Sequence, residues 1–257
     1  MDRSLLVRLM GFPATLLHGD TLVLDRWLWL RRRLPYVGAG ERLIDLGCGS
    51  GAFTIGAAKR GYHALGVSWD ERNQQVAAER AALCHAPTAT FTLGDLRELD
   101  QRTEWHAAFE VALCSEVIEH LGDDRRLMTA VAACLKPGGR LLLTTPNYAF
   151  RYITRGDLHP YPVVEDGGHM RRGYTPEMLR ELCDHAGLRL ESVGYCSGIL
   201  SQQITRGFRH LSRRHELIGW GATFPLRALP PLADRALTWL SGYPYHTICL
   251  IAYKPRF

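Results

Sequence analysis

The chain has 257 residues, of which 46% are hydrophobic and 22% charged, which suits one α/β domain with insertions or one domain plus a small cap. A net charge of +5 is too modest for a protein that coats nucleic acid, and seven scattered cysteines without a CxxC pair argue against a zinc ribbon or a disulfide framework. No uncharged apolar run is long enough to span a bilayer, and Arg8 and Pro13 interrupt the only candidate for a leader, so the expected location is cytoplasmic.

In chain order, an amphipathic helix is predicted over about Leu22–Leu34, carrying Trp27, Trp29 and the run Arg31–Arg33. A short apolar strand, Arg42–Leu46, then ends in a glycine loop that opens a helix over 52–60. Strands follow at Tyr62–Val67, Thr88–Leu93 and Glu110–Cys114, with a helix between the first two that starts at the cap Asp70. A helix over Asp124–Leu135 is stopped by Pro137-Gly138-Gly139, which leads into a strand at Arg140–Thr145. Thr175-Pro176-Glu177 has the cap, first-turn proline and first-turn acid of a helix start, and that helix ends near Gly187. Leu188–Gly194 and Thr247–Tyr253 are the last two strands. Strands alternating with helices predict a mainly parallel sheet of seven strands with helices on both faces. Residues 1–39 are expected as an N-terminal helical lid on a ligand-binding domain at 40–257. The stretches at about 146–174 and 195–246 are too long for ordinary connections and are expected as caps.

The loop Asp45-Leu46-Gly47-Cys48-Gly49-Ser50-Gly51 sits where open α/β sheets bind ligands, at the carboxyl end of a strand. Its spacing is GxGxG with an acid before it, unlike the GxGxxG that seats a dinucleotide pyrophosphate. A carboxylate there suits a cationic ligand better than a pyrophosphate. This motif resembles motif I of the class I S-adenosylmethionine-dependent methyltransferases, a Rossmann-like fold, and the resemblance covers residues 40–195 best. It implies S-adenosylmethionine as cofactor, with Asp45 near its amino group, and with Gly47, Gly49 and Gly51 in the loop that makes room for it. It also implies Asp95, in Gly94-Asp95-Leu96, at the adenine amine, and Leu96 and Ser115 beside the cofactor. The family's ribose-binding acid is replaced here by Ser68, in Ser68-Trp69-Asp70. Either Ser68 makes that contact or Asp70 reaches back, unless Asp70 is only a helix cap; Trp69 either covers the adenine or packs.

After the fourth strand comes Glu116-Val117-Ile118-Glu119-His120. On a helical turn Glu116, Glu119 and His120 share one face. Three readings stand. The residues support the loop, or His120 is a general base, or Glu116, Glu119 and His120 hold a divalent metal. The segment is similar to that of the ubiquinone-biosynthesis O-methyltransferases and of small-RNA 2′-O-methyltransferases. In the latter a downstream histidine completes a magnesium site, which makes His169 the candidate for that part here, both as metal ligand and as catalytic residue, with His159 behind it. The expected reaction is methyl transfer to a small-molecule acceptor, with a hydroxyl of an apolar or lipid-like metabolite favoured. An RNA methyltransferase and a non-catalytic cofactor-binding protein are the alternatives, and no RNA-binding appendage supports the first. Finally, Ile204, Phe208, Leu211 and Ile218 fall at helical spacing, with Arg206, Arg209, Arg213 and Arg214 between them. That segment is expected to pack on the domain or on a second subunit of a homodimer, to rest peripherally on an anionic membrane, or to contact nucleic acid.

Overall fold

The fold is taken from a computed structural model that describes residues 4–17, 21–38, 40–154, 160–165 and 167–256. His159 lies outside the described residues.

Seven strands form one sheet: β1 (Arg42–Leu46), β2 (His63–Ser68), β3 (Ala89–Leu93), β4 (Phe109–Ser115), β5 (Leu135–Pro146), β6 (Arg189–Cys196) and β7 (Thr247–Tyr253). Their order across the sheet is β3-β2-β1-β4-β5-β7-β6. The first five pair in parallel, and β7 runs antiparallel between β5 and β6. All seven predicted strands are present. β5 starts earlier than the sequence suggests. Leu135 already pairs with Phe109, and the register shifts before Val111 meets Arg140, so Pro137-Gly138-Gly139 is an irregularity inside the strand. The bend at Gly138 uses a positive φ of 81°.

The helices are α1 (Leu5–Met10), α2 (Phe12–Leu17), α3 (Thr21–Arg31), α4 (Ala52–Ala58), α5 (Glu71–Leu83), α6 (Asp124–Cys134), α7 (Pro176–His185), α8 (Ile199–Ser212), α9 (Glu216–Thr223) and α10 (Arg235–Ser241). Two apolar clusters cover the two faces of the sheet. One gathers residues of α6 and α7 against β4, β5 and β7, with Leu127, Met128, Val131, Leu179 and Leu182 buried. The other gathers residues of α3, α4 and α5, with Trp27, Trp29, Leu30 and Ile55. The predicted one-sided amphipathicity of α3 is not observed. Leu22, Asp25, Arg26, Trp27, Trp29 and Leu30 are all buried, because the sheet covers one side of the helix and α8 another. Beyond the end of β5 at Pro146, the only β pairing among the described residues up to 174 is an isolated bridge between Asn147 and Tyr174. The 195–246 stretch forms α8, α9, a 3₁₀ turn (Pro225–Ala228), a π turn (Pro230–Asp234) and α10.

Candidate active site

Parallel strands present their carboxyl ends on one edge, and most of the predicted cofactor residues gather there in two cavities. The first, of about 270 Å³, is lined by Asp45, Gly47, Gly49, Ser115 and Glu116 together with Thr15, Val23 and Arg26 from the N-terminal helices. The second, of about 380 Å³, lies at the ends of β2 and β3 and is lined by Val67, Trp69, Gly94, Asp95 and Trp105, among others. Ser68, Leu96 and Gly51 line neither cavity.

Asp45 is fully buried and accepts a hydrogen bond from the Thr54 hydroxyl at 2.6 Å. Burial pushes its carboxyl up to about 7, against the lowering effect of Thr54. A carboxylate held so far from water is poised for a cation that would offset the cost of its ionisation. All three loop glycines have positive φ, but for different surroundings. A β-carbon on Gly47 would collide with Val117, and one on Gly51 would lie 2.8 Å from Ala77 and 2.9 Å from Phe91. One on Gly49 meets nothing within 4 Å. Gly49 therefore faces open space in the cavity, whereas Gly47 and Gly51 are required by packing. Gly47 still lines the cavity with its backbone, while Val117 occupies the direction of its absent β-carbon.

In the second cavity Asp95 caps the following 3₁₀ turn by accepting from the Arg97 backbone N–H at 2.9 Å, and it pairs with the Arg97 side chain. That pairing is the main cause holding its carboxyl below the usual range. Trp69 is exposed at the cavity wall. Asp70 accepts from the Asn73 N–H at 2.7 Å, so it is the cap of α5, and Ser68 Oγ accepts from the Asp70 N–H at 3.3 Å. Leu96 packs against the core on the α6 side, and Ser115 Oγ lies 2.7 Å from Thr144 Oγ1.

The expectation of one helical face for Glu116, Glu119 and His120 is corrected. Only Ile118–His120 form a 3₁₀ turn, and Glu116 stands before it at φ 55°, a left-handed conformation that is costly for a residue with a side chain. Glu116 instead faces the first cavity, where Arg26 Nη1 pairs with it at 2.8 Å. Glu119 points the other way. It is completely buried, accepts from the Thr145 hydroxyl at 2.9 Å, and leaves its Oε1 without a partner, 4.0 Å from His120 Nε2. Burial foremost, and Glu116 next, raise its carboxyl well above the ordinary range. The His120 side chain is 32% exposed, and the His169 ring meets it edge-on at 4.6 Å. Glu119, His120 and His169 each bring a ligand atom within 4.8 Å of the others, and Glu116 does not join them. His169 reaches this position because the Met170 N–H donates to the Glu119 carbonyl at 2.8 Å, and Arg171 donates to the carbonyls of Leu121 and Gly122 at 2.8 Å each.

Arg26 is the functional candidate that sequence reasoning missed. Its signal was a charged pair, Asp25-Arg26, inside the otherwise apolar LVLDRWLWL.

Several known proteins are similar to this chain. A family model described as a methyltransferase domain matches residues 24–193, more than half of the chain. A ubiquinone biosynthesis O-methyltransferase of Marinobacter nauticus is 27% identical over 69% of this chain and 76% of its own. One of Xylella fastidiosa is 30% identical over 64% and 67%. Among solved structures, an S-adenosylmethionine-dependent methyltransferase of Mesorhizobium loti superposes with a TM-score of 0.58 at 22% identity, over 93% of this chain and all of that one. The cyclase SpnF shares the fold as well, with a TM-score of 0.61 at 21% identity, over 91% and 82%. Because that fold also carries a cyclase, membership rests on the family model and the curated relatives, not on shape. On those grounds the chain belongs to the methyltransferase domain family.

Proposed function

We propose that this enzyme methylates a hydroxyl of an apolar small molecule, with His120 as the base that takes its proton. The observation that carries the reading is the partly exposed His120 ring, packed edge-on against His169, on the turn after the cavity-lining Ser115 and Glu116. The curated relatives are O-methyltransferases by name, which supports oxygen as the accepting atom.

S-adenosylmethionine, when bound, supplies a methyl group already activated on a sulfonium, so the protein's part is to align, exclude water and move one proton. Asp45 suits the ammonium group of the cofactor, and Arg26 suits its carboxylate, with Glu116 holding the guanidinium in place. Gly49 admits the methionine part. Ser115 stands beside it. Trp69 and Asp95 suit the adenine end, which Leu96 backs, and Ser68 the ribose. The N-terminal helices act as a lid, since Thr15, Val23 and Arg26 close one side of the cavity and Glu79 of α5 ties down Ser4 and Arg8 at 2.8 Å each. At the acceptor, the imidazole of His120 offers a ring nitrogen to take the hydroxyl proton. The test uses a catechol with an apolar tail and isotope-labelled S-adenosylmethionine. Label on oxygen in the product, lost with His120→Ala while binding of the demethylated cofactor persists, is the expected result. Label on nitrogen or carbon overturns the reading.

A second reading has a specific observation behind it. The unpartnered Glu119 Oε1, the unpartnered Nδ1 of His120 and the close approach of His169 make a donor set for a divalent cation. With Glu116 engaged by Arg26, the set is two imidazoles and one carboxylate. That favours manganese, iron or zinc over magnesium, which demands mostly oxygen ligands. Activity lost to a chelator and restored by manganese better than by magnesium would support it.

A further inference from the structure

The cap segment 216–241 is amphipathic in the reverse of the usual sense. Its buried positions recur every third or fourth residue: Gly219, Thr223, Arg227, Pro230, Asp234 and Thr238. That inward stripe is mostly polar, and each of its polar side chains makes a hydrogen bond. Asp234 accepts from the backbone N–H groups of Gly198 and Leu200 at 2.8 and 2.7 Å and from the Ser201 hydroxyl at 2.9 Å, so it caps α8 from a distance. Thr238 accepts from the Ile199 N–H at 2.9 Å, and Arg227 donates to the Leu17 carbonyl at 2.7 Å between the rings of Phe208 and Trp220. These bonds fix which side faces the protein, and the apolar side chains are left outside. Leu232 is 84% exposed, Trp239 79% and Leu240 71%, with Ile218, Leu226 and Leu229 around half exposed. A helix in water ordinarily shows the opposite arrangement, and a contiguous exposed apolar surface marks a contact.

We infer that this face docks the enzyme on an anionic lipid bilayer, lying in the interface and not spanning it. No described helix is long and apolar enough to cross a membrane. Charge selects the occupant. Residues 199–246 contain six arginines, at 206, 209, 213, 214, 227 and 235, against two acids, Glu216 and Asp234; Arg227 and Asp234 are both buried, which leaves five arginines against Glu216. A second copy meeting this face about a two-fold axis would set that arginine excess against itself. An apolar face bordered by arginines matches acyl chains bordered by anionic headgroups. The docking does not depend on the identity of the acceptor. Joined to the proposed function, on which only this step rests, it shortens the path of a membrane-dissolved acceptor to the site.

The experiment is co-sedimentation of the full chain with vesicles of phosphatidylcholine alone or mixed with phosphatidylglycerol, at low and high salt. Wild-type protein is expected to pellet with the anionic vesicles, and less as salt rises. Replacing Leu229, Leu232, Trp239 and Leu240 by serine is expected to lower partitioning about tenfold or more. Arg209→Gln, Arg213→Gln and Arg214→Gln together are expected to weaken it and flatten its salt dependence. Unchanged calorimetric binding of the demethylated cofactor shows that each variant is folded, and methyl transfer to a soluble phenol without vesicles reports the catalytic reading separately. Three outcomes overturn the inference. Wild-type protein stays in the supernatant at low salt, or the four-serine variant pellets like wild type, or the wild type is a dimer that the serine changes dissociate, with no vesicle binding.

Discussion

The carboxyl edge of the sheet and the β6–β7 cap treat their polar and apolar groups in opposite ways. At the sheet edge, buried acids have capacity to spare: Asp45 is pushed up to about 7, and Glu119 Oε1 has no partner. In the cap, buried Asp234 and Thr238 are bonded to the start of α8, and it is apolar side chains such as Leu232 that lack a neighbour. A spare polar atom inside costs free energy until a ligand satisfies it, and a spare apolar surface outside does so until something covers it. The two regions are therefore incomplete in different currencies of interaction, one awaiting small polar ligands and the other an apolar surface.

The comparison breaks if changes in one region produce the losses expected of the other. The largest effect is expected at Gly49. Gly49→Val places a branched side chain at a left-handed φ and in the open space of the cavity, so calorimetry should detect no binding of S-adenosylmethionine or its demethylated product, with vesicle binding intact. His120→Ala should lower turnover by about 10²–10⁴-fold with cofactor affinity unchanged, measured in steady-state kinetics. A loss confined to KM would instead make His120 a binding residue.

Leucine-to-serine changes sharpen the contrast at the level of stability. Leu179→Ser, in the core-facing stripe of α7, should cost about 3–5 kcal/mol in urea denaturation, because it leaves a cavity and a buried hydroxyl. Asp45 supplies a pH signature. Its raised carboxyl favours the protonated form in the free protein, so the apo protein loses stability as pH rises from about 4 through about 7. An ammonium ligand favours the ionised form. Cofactor binding should therefore weaken as pH falls below about 7, by up to about tenfold per pH unit, with proton release visible as buffer-dependent heats in calorimetry. Asp45→Asn should remove that dependence. The smallest effect is expected for Leu232→Ser, within about 0.5 kcal/mol, since the side chain already lies in water.

Much of this molecule was legible because its signals are local. The seven apolar runs became seven strands, and the cap residues Asp70 and Thr175 accept from Asn73 and Met178 as their positions implied. The misreadings share one cause. The shared face of Glu116, Glu119 and His120 assumed a continuous helical turn, and the left-handed Glu116 broke it. Arg26 could not be assigned, because its partner Glu116 is ninety residues away in the chain. Gly47 and Gly49 look alike in the motif, yet Val117 fills the space beside one and nothing fills it beside the other.

The contrast of α7 with 216–241 shows where sequence stops. Both carry a helical period, and in both one stripe is inside. In α7 the inner stripe is Leu179, Leu182 and Cys183, as hydrophobic burial requires. In the cap it is Thr223, Arg227, Asp234 and Thr238: Asp234 and Thr238 accept from the N–H groups at the start of α8, Arg227 donates to the Leu17 carbonyl, and Thr223 donates to the Gly219 carbonyl of its own helix. Sequence by itself determined the strands, the caps and the glycine loop, since each depends on residues a few positions apart. Which acid meets which cation, which glycine faces the ligand and which side of the cap faces water were decided by tertiary structure, since each depends on what a distant segment brings alongside.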